Sequence, residues 1–140
     1  MDKLGLGRKM EQAVMRRWEW NGFECWQPPR AKYSSQDIFE RFDFVAVKPW
    51  CPMNLVQVKR YRPVELRKAF DAIKSWADAV QCPVAPYLVS WRKDKSLMGI
   101  DFEAWEYTMV GWVNGGRWAG RYDDMHDSAV VLKPEGAVYG

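Results

Sequence analysis

Two short apolar segments joined by a proline-containing turn constrain the fold of this chain more than any other feature. Residues 42–47 read FDFVAV, and residues 55–59 read LVQVK. β-Branched and aromatic residues of this kind favour strands. The stretch between the two segments contains Pro49 and Pro52 and therefore has to turn. The pattern predicts two adjacent strands that pair as a hairpin.

Helices are predicted on both sides of this hairpin along the chain. Pro63 stands where proline is favoured, in the first turn of a helix, and apolar residues then recur at helical spacing as far as Val80. Pro83 ends that pattern, and Tyr87–Trp91 has the composition of a strand. Before the hairpin, Gly7–Trp20 carries its apolar residues on one face and predicts an amphipathic helix.

The remaining segments predict further strands. Phe23–Gln27 is a short strand candidate between the first helix and the hairpin. Nearer the C-terminus, Tyr107–Val113 and Trp118–Tyr122 are predicted to pair across a turn at Asn114–Gly116, and Ser128–Leu132 is a last strand. The predicted order α-β-β-β-α-β, followed by a β-rich end, indicates a mixed α/β fold.

Length and composition bound the class of protein. The 140 residues suit one domain, for which we expect a core motif region at 7–91 and a β-rich C-terminal part at 92–140. A hydrophobic content of 48% excludes a disordered chain. The net charge of +3 excludes a histone-like polycation but leaves a nucleic-acid binder with local basic patches open.

Charge is distributed unevenly along the chain. Residues 1–62 carry 12 Lys and Arg against 7 Asp and Glu, whereas the remainder carries 9 against 11. A basic half with embedded acids suits a nuclease, because the bases hold phosphates and the acids hold a metal ion. The same distribution also suits a solvated surface without a partner, so charge alone decides nothing.

The chain has no run of about 18 apolar residues and no apolar secretory leader, so we expect no membrane segment and no secretion. Cys25, Cys51 and Cys82 are odd in number and form no C-x-x-C pair, and we interpret them as ordinary buried thiols. With His126 they match no zinc module, and His126 is interpreted as part of a surface loop. These observations predict a cytoplasmic protein, or one in the host cytoplasm if it is viral.

Four polar residues on the predicted elements are candidates for one site. Strand side chains alternate between faces, so Gln57 and Lys59 point the same way. Hairpin pairing would bring Asp43, which lies between two phenylalanines, beside them. Glu11 borders the apolar stripe of the first helix and could face the same point. Carboxylate and amide oxygens suit Mg²⁺, and a lysine can position the attacking water or neutralise charge, so the set suits metal-assisted phosphodiester hydrolysis.

The segment SQDIFERFDFVAV, followed by NLVQVK and preceded by a helix with Glu11, resembles the PD-(D/E)XK nuclease superfamily. Within it, the layout is most similar to the archaeal-type Holliday junction resolvases, some of which are carried by phages. The resemblance covers roughly residues 7–91. It implies a restriction-endonuclease-like mixed sheet flanked by helices. It also implies a homodimeric endonuclease that depends on Mg²⁺, with Mn²⁺ as a substitute, and nicks four-way DNA junctions in pairs. Symmetric nicking of two strands itself calls for a two-fold dimer.

The resemblance assigns roles residue by residue. Glu11 matches the helix glutamate, Asp43 the aspartate of the PD motif, Gln57 the D/E position and Lys59 the lysine. Ser34 or Ser35 falls in the loop where those resolvases carry a serine, and we take Ser35 as the catalytic candidate.

Two positions depart from the family pattern. Phe42 replaces the usual proline before Asp43, and Gln57 replaces the acid. Mrr-like restriction nucleases also carry Q-x-K. Because an amide brings no charge, Asp37 is a candidate further ligand, which makes the predicted metal set Glu11, Asp37, Asp43 and Gln57.

Basic residues near these positions are candidate DNA contacts. They are Arg8, Lys9, Arg30, Lys32, Arg60 and Arg62. Among the tryptophans, Trp18, Trp76 and Trp91 fall on apolar stripes and are predicted to be core. Trp50, in the proline-rich turn, suits either a dimer interface or base stacking.

Two other functions fit the same residues. The chain could be an Mrr-like or repair nuclease that cuts linear, flapped or modified duplex DNA, which the Q-x-K form favours. It could also be a non-catalytic DNA-binding module whose site has decayed, with Gln57 as the sign of that decay.

Overall fold

The computed structural model of the chain describes residues 3–29, 37–94, 99–123 and 128–132. Within these ranges the chain forms two helices and seven strands in the order α-β-β-β-α-β-β-β-β, which confirms the predicted order. The elements are α1 (Lys3–Trp20), β1 (Glu24–Trp26), β2 (Phe44–Val47), β3 (Met53–Arg60), α2 (Pro63–Val80), β4 (Val84–Lys93), β5 (Gly99–Thr108), β6 (Gly111–Asp123) and β7 (Ser128–Val131).

All seven strands belong to one sheet, in which their spatial order equals their order in the sequence. β3 and β4 are parallel, with Gln57 opposite Leu88, because α2 carries the chain back between them. The other neighbours are antiparallel, as in the β2–β3 pair, where Phe44 lies opposite Val56. The fold is therefore mixed α/β, and the C-terminal strands β5, β6 and β7 extend the sheet that contains the motif strands.

Two hydrophobic clusters hold the sheet and the helices together. The first, the α1 cluster, joins helix residues to one set of strand residues, including Met10, Val14, Trp18, Phe44, Val56, Val89, Trp91 and Phe102. The second, the α2 cluster, consists of Phe42, Leu55, Leu66, Ala69, Ile73 and Leu88. Leu55 and Val56 are adjacent but belong to different clusters, since strand side chains alternate between faces. α1 contacts both β1 and β7, the two ends of the strand order, so the sheet curls around this helix.

The three tryptophans predicted to lie in the core all pack against it, two of them buried. Trp18 and Trp91 are buried, and Trp76 packs half-buried against the α2 cluster. Trp50 is fully exposed at the tip of the β2–β3 turn and has a left-handed φ of 68°. Among the described residues, no helix combines the length and apolar character that crossing a bilayer requires.

The predicted turn at Asn114–Gly116 is wrong. β6 runs through these residues without reversing, and the chain turns instead at Met109 and Val110, between β5 and β6. Gly111 supplies a positive φ of 103° at the end of that turn. Thr108 closes it, since its hydroxyl accepts from the Val110 N–H at 3.3 Å and donates to the Gly111 carbonyl at 2.8 Å.

The Asn-Gly-Gly residues form an irregularity within the β5–β6 ladder instead. The register shifts opposite Ala104 and Trp105, as at a β-bulge, where one strand carries an extra residue. Gly116 has a φ of 120°, and its N–H donates to the Asn114 side chain at 2.8 Å. The glycines thus bend a strand rather than end it, and a local turn signal does not distinguish the two.

The expectation that all three thiols are buried is also wrong. Cys25 on β1 is half-buried, whereas Cys51 and Cys82 are exposed because each lies in a loop just before a strand begins. Burial, with a further contribution from the charge of Glu19, raises the pKa of Cys25 to about 12.

Thiol titration tests this arrangement. At pH 8 an aromatic disulfide reagent is expected to modify two thiols per chain quickly. The third, Cys25, should react at roughly one hundredth of that rate or more slowly still, because the thiolate is the reactive form and the raised pKa of Cys25 leaves little of it. Cys25→Ser should leave the fast phase unchanged, and Cys51→Ser or Cys82→Ser should each remove one fast equivalent. Three equally fast thiols would contradict the burial of Cys25.

Candidate active site

Asp43 lies just before β2 and is tied to β3 by its backbone and its side chain. Its N–H donates to the carbonyl of Val56, the residue that also lies opposite Phe44, at 2.8 Å. One carboxylate oxygen, Oδ2, accepts from the Val58 N–H at 2.6 Å. The side chain is therefore held across the strand pair rather than pointing freely from a loop.

The two phenylalanines around Asp43 anchor it. Phe42 is buried in the α2 cluster and Phe44 in the α1 cluster, and neither has any exposed surface. In a regular strand, residues two apart share a face, so the alternation is interrupted at Asp43. An isolated bridge between Ile38 and Phe42 fixes the chain on the N-terminal side. The interruption sends Phe42 and Phe44 into different clusters.

Glu11 reaches the same region from α1. It follows the buried Met10 on the helix and is itself 8% exposed. The side-chain amide of Gln27 donates to Glu11 Oε2 at 2.8 Å. Gln27 comes directly after β1, a strand that pairs with β2 and contacts α1. Sequence reasoning missed Gln27, because this contact joins two elements with no shared local pattern.

The electrostatics of this region follow from the burial of neighbouring acids. The pKa of Asp43 is raised to about 8, first by burial, then by the charge of Glu11 and more weakly by that of Asp37. The hydrogen bond from the Val58 N–H opposes this shift. Buried carboxylates this close favour either a proton or a cation between them.

A cavity of about 350 Å³ opens over these groups. It brings together five residues that the sequence singles out: Glu11, Asp37, Asp43, Gln57 and Lys59. Arg60 and Arg62, two of the predicted DNA contacts, line it as well, and so does Trp91. The Arg60 guanidinium lies over the Trp91 ring, 5.3 Å from its centroid.

Other predicted residues are not brought to this cavity. Arg8 is exposed on α1 and does not line it. Lys9 points to β6, where its Nζ lies 3.5 Å from the hydroxyl of Tyr122. The remaining candidates Arg30, Lys32, Ser34 and Ser35 lie outside the described residues, as does His126.

The donor set fits a hard divalent cation. Within the described ranges, no three His, Cys, Asp or Glu side chains stand as a ready-made metal cluster. Two buried carboxylates, those of Glu11 and Asp43, nevertheless interact directly, and Gln57 adds an amide oxygen on the same cavity wall. Oxygen ligands of this kind are those that Mg²⁺ and Mn²⁺ accept.

The chain matches no protein-family model, and comparisons with curated proteins and with solved structures returned no match. The chemistry of the cavity is therefore interpreted from its own residues.

The pH dependence of stability tests the buried acids. Because the folded pKa of Asp43 lies near 8 and its ordinary value is 3.8, the folded chain holds this proton more tightly than the unfolded chain. In EDTA, stability should therefore fall as the pH rises from 5.5 to 8 and level off above that, with a drop in Tm of roughly 10 °C. Asp43→Asn should abolish most of this slope.

Few other groups interfere with that measurement, and the chain offers a matched control variant. The chain has one histidine, so few other groups titrate between pH 5.5 and 8.5. Asp71→Asn, at an exposed position on α2, removes the same charge away from the cavity and should keep the wild-type slope. An unchanged slope in Asp43→Asn would show that Asp43 is not the group that titrates.

Proposed function

We propose that this chain is a metal-dependent DNA endonuclease and that phosphodiester bonds are hydrolysed in the cavity at the end of β3. One observation carries the proposal: Glu11 and Asp43 are buried in direct interaction beneath the cavity that Gln57 and Lys59 also line. Burying two interacting acids is costly, and such an arrangement is typical of a functional site.

The proposed cofactor is Mg²⁺, with Mn²⁺ as a substitute. Asp43, Glu11 and Gln57 would hold the ion, with Asp37 on the cavity wall as a further acid. When bound, a divalent ion lowers the pKa of its water and offsets charge on the phosphate.

The side chains around the acids have supporting roles. The Val58 N–H orients Asp43, and Gln27 orients Glu11. Such supporting contacts keep ligands in the geometry that the chemistry needs. Lys59 lies two residues beyond Gln57 on the same cavity wall. Its ammonium can donate a hydrogen bond to the attacking water or to a phosphate oxygen, which stabilises the charge that develops during hydrolysis.

Arg60 and Arg62 are proposed to hold the phosphates beside the scissile bond. Both are exposed and line the cavity. The contact between Arg60 and Trp91 limits the freedom of the guanidinium, so less entropy is lost when it binds a phosphate.

Four-way junctions are the proposed substrate, and a homodimer the proposed assembly, on the resemblance to the resolvases. The β3–α2–β4 crossover and the element order support a restriction-endonuclease-like arrangement with α1 and α2 on opposite faces of the sheet. Gln57 specifically favours the second candidate function, an Mrr-like nuclease on linear, flapped or modified duplex, since that group carries the Q-x-K form.

Cleavage assays test the activity. With Mg²⁺ the chain should place paired nicks in a four-way junction, and Asp43→Asn should lower the rate roughly a hundredfold or more. Asp71→Asn should cleave like the wild type. Cleavage of the linear arms at the same rate would assign the second function. Tight junction binding without cleavage in Mg²⁺ or Mn²⁺ would identify a non-catalytic DNA-binding module.

A charge substitution tests the metal set separately from cleavage. Gln57→Glu adds a third carboxylate to the buried acids, so its Tm without metal should fall below that of the wild type. Mg²⁺ should then raise the Tm of this variant by several degrees more than it raises that of the wild type. Gln12→Glu, at an exposed position on α1, makes the same change away from the cavity and should respond like the wild type. Equal responses in both variants would remove Gln57 from the metal set.

A further inference from the structure

A second cavity lies on the other side of the β3 end, between α2 and the β5–β6 pair. Its volume is about 470 Å³, and it shares no lining residue with the candidate active site. An adjoining cavity of about 210 Å³ shares three lining residues with it. We call the two cavities together the aromatic cleft and define it by Tyr61, Phe70, Ser90, Glu103, Trp105 and Trp112.

Four aromatic rings shape the cleft. The Phe70 ring meets the Trp112 ring edge-on at 4.7 Å and the Trp105 ring edge-on at 6.2 Å, so it fixes both tryptophans. Tyr61 contributes a ring that is 44% exposed at the end of β3. Partly exposed rings around a cavity of this size provide a stacking surface for a planar ligand.

The polar groups of the cleft are few and well placed. Ser90 is 6% exposed, lines both parts of the cleft, and has no hydrogen-bond partner for its hydroxyl among the described residues. Glu103 accepts from the Trp105 indole N–H at 3.0 Å and from the Asn114 side-chain amide at 3.3 Å, and its carboxylate lies 3.4 Å from the Arg117 guanidinium. A fixed carboxylate and an unused hydroxyl match the N–H and carbonyl groups on the edge of a nucleobase.

The rim of the cleft carries arginines and one acid, since Arg92 lies 4.0 Å from Asp101, and it borders the candidate active site at the end of β3. Arg67 is exposed beside the cleft, and the Arg92 guanidinium lies over the Tyr61 ring, 5.3 Å from its centroid. Tyr61 itself stands between Arg60 and Arg62, which line the other cavity. Consecutive residues thus contact the two cavities alternately. A strand whose phosphates lie on the arginines would have a base within reach of Tyr61.

We propose that the aromatic cleft binds an unpaired nucleobase of the nucleic-acid substrate, stacked on Trp112 and Tyr61 with its polar edge at Glu103 and Ser90. This inference rests on the proposed function, which supplies the nucleic acid. It also narrows the substrate to DNA with an unpaired base close to the cleaved phosphate, as at a branch point, a flap or a distorted pair. Extracting an unpaired base from the helical stack costs less free energy than extracting a paired one.

Binding in EDTA tests the cleft without cleavage. The probe is a fluorescein-labelled duplex with one unpaired thymine or guanine, compared by anisotropy with the same duplex carrying an abasic site there. The wild type should bind the base-containing probe about tenfold more tightly. Trp112→Ala and Ser90→Ala should bring this ratio close to one, while Trp26→Ala, which removes an exposed tryptophan from β1 that lines neither cavity, should keep it.

The outcomes separate the two proposals. Ser90→Ala removes one oxygen and should fold normally, so it remains informative if Trp112→Ala unfolds. Equal binding of the two probes by the wild type, or an unchanged ratio in Ser90→Ala and Trp112→Ala, would overturn the cleft and leave the endonuclease standing. A base preference that depends on Ser90 and Trp112, in a chain that does not cleave DNA with Mg²⁺ or Mn²⁺, would confirm the cleft and overturn the endonuclease.

Discussion

The burial of the Asp43 carboxylate beside Glu11 is the interaction on which the candidate site depends. Removing a charged group from water costs on the order of several kcal/mol unless a proton, a cation or hydrogen bonds compensate for the lost solvation. Here the Val58 N–H supplies one such bond, and the raised pKa of Asp43, about 8, shows that it does not compensate fully. The rest of the fold has to hold the acids together against this cost.

The two hydrophobic clusters provide that restraint. Phe42 is buried in the α2 cluster and Phe44 in the α1 cluster, one on each side of Asp43 in the sequence. Asp43 therefore cannot move away without emptying a buried position in one of the clusters. Loss of a buried phenylalanine from its site costs roughly 3–5 kcal/mol. Packing of α1 against the same sheet brings in Glu11, whose neighbour Met10 is fully buried. Core packing thus keeps two acidic side chains buried next to each other at a cost in stability.

Residues at the end of β3 line both the candidate active site and the aromatic cleft. Lys59, Arg60 and Arg62 line the cavity of the candidate active site, whereas Tyr61 lines the aromatic cleft. The cleft also requires β5 and β6, whose residues Glu103, Trp105 and Trp112 form its far wall. The β-rich C-terminal part, which carries none of the motif residues, therefore gains a proposed role in substrate selection.

The sequence by itself determined the order and type of the elements, because periodicity, proline positions and apolar runs act over a few residues. Pro63–Val80 is helical as predicted, and the strands around Asp43 and Gln57 pair as the proline-containing turn suggests. Only the tertiary structure decided which polar groups meet. The contact of Gln27 with Glu11, the hydrogen bonds that tie Asp43 to Val56 and Val58, and the bulge in place of a turn all depend on pairing between distant segments. Such pairing is set by competition among long-range packing arrangements, which no local pattern records.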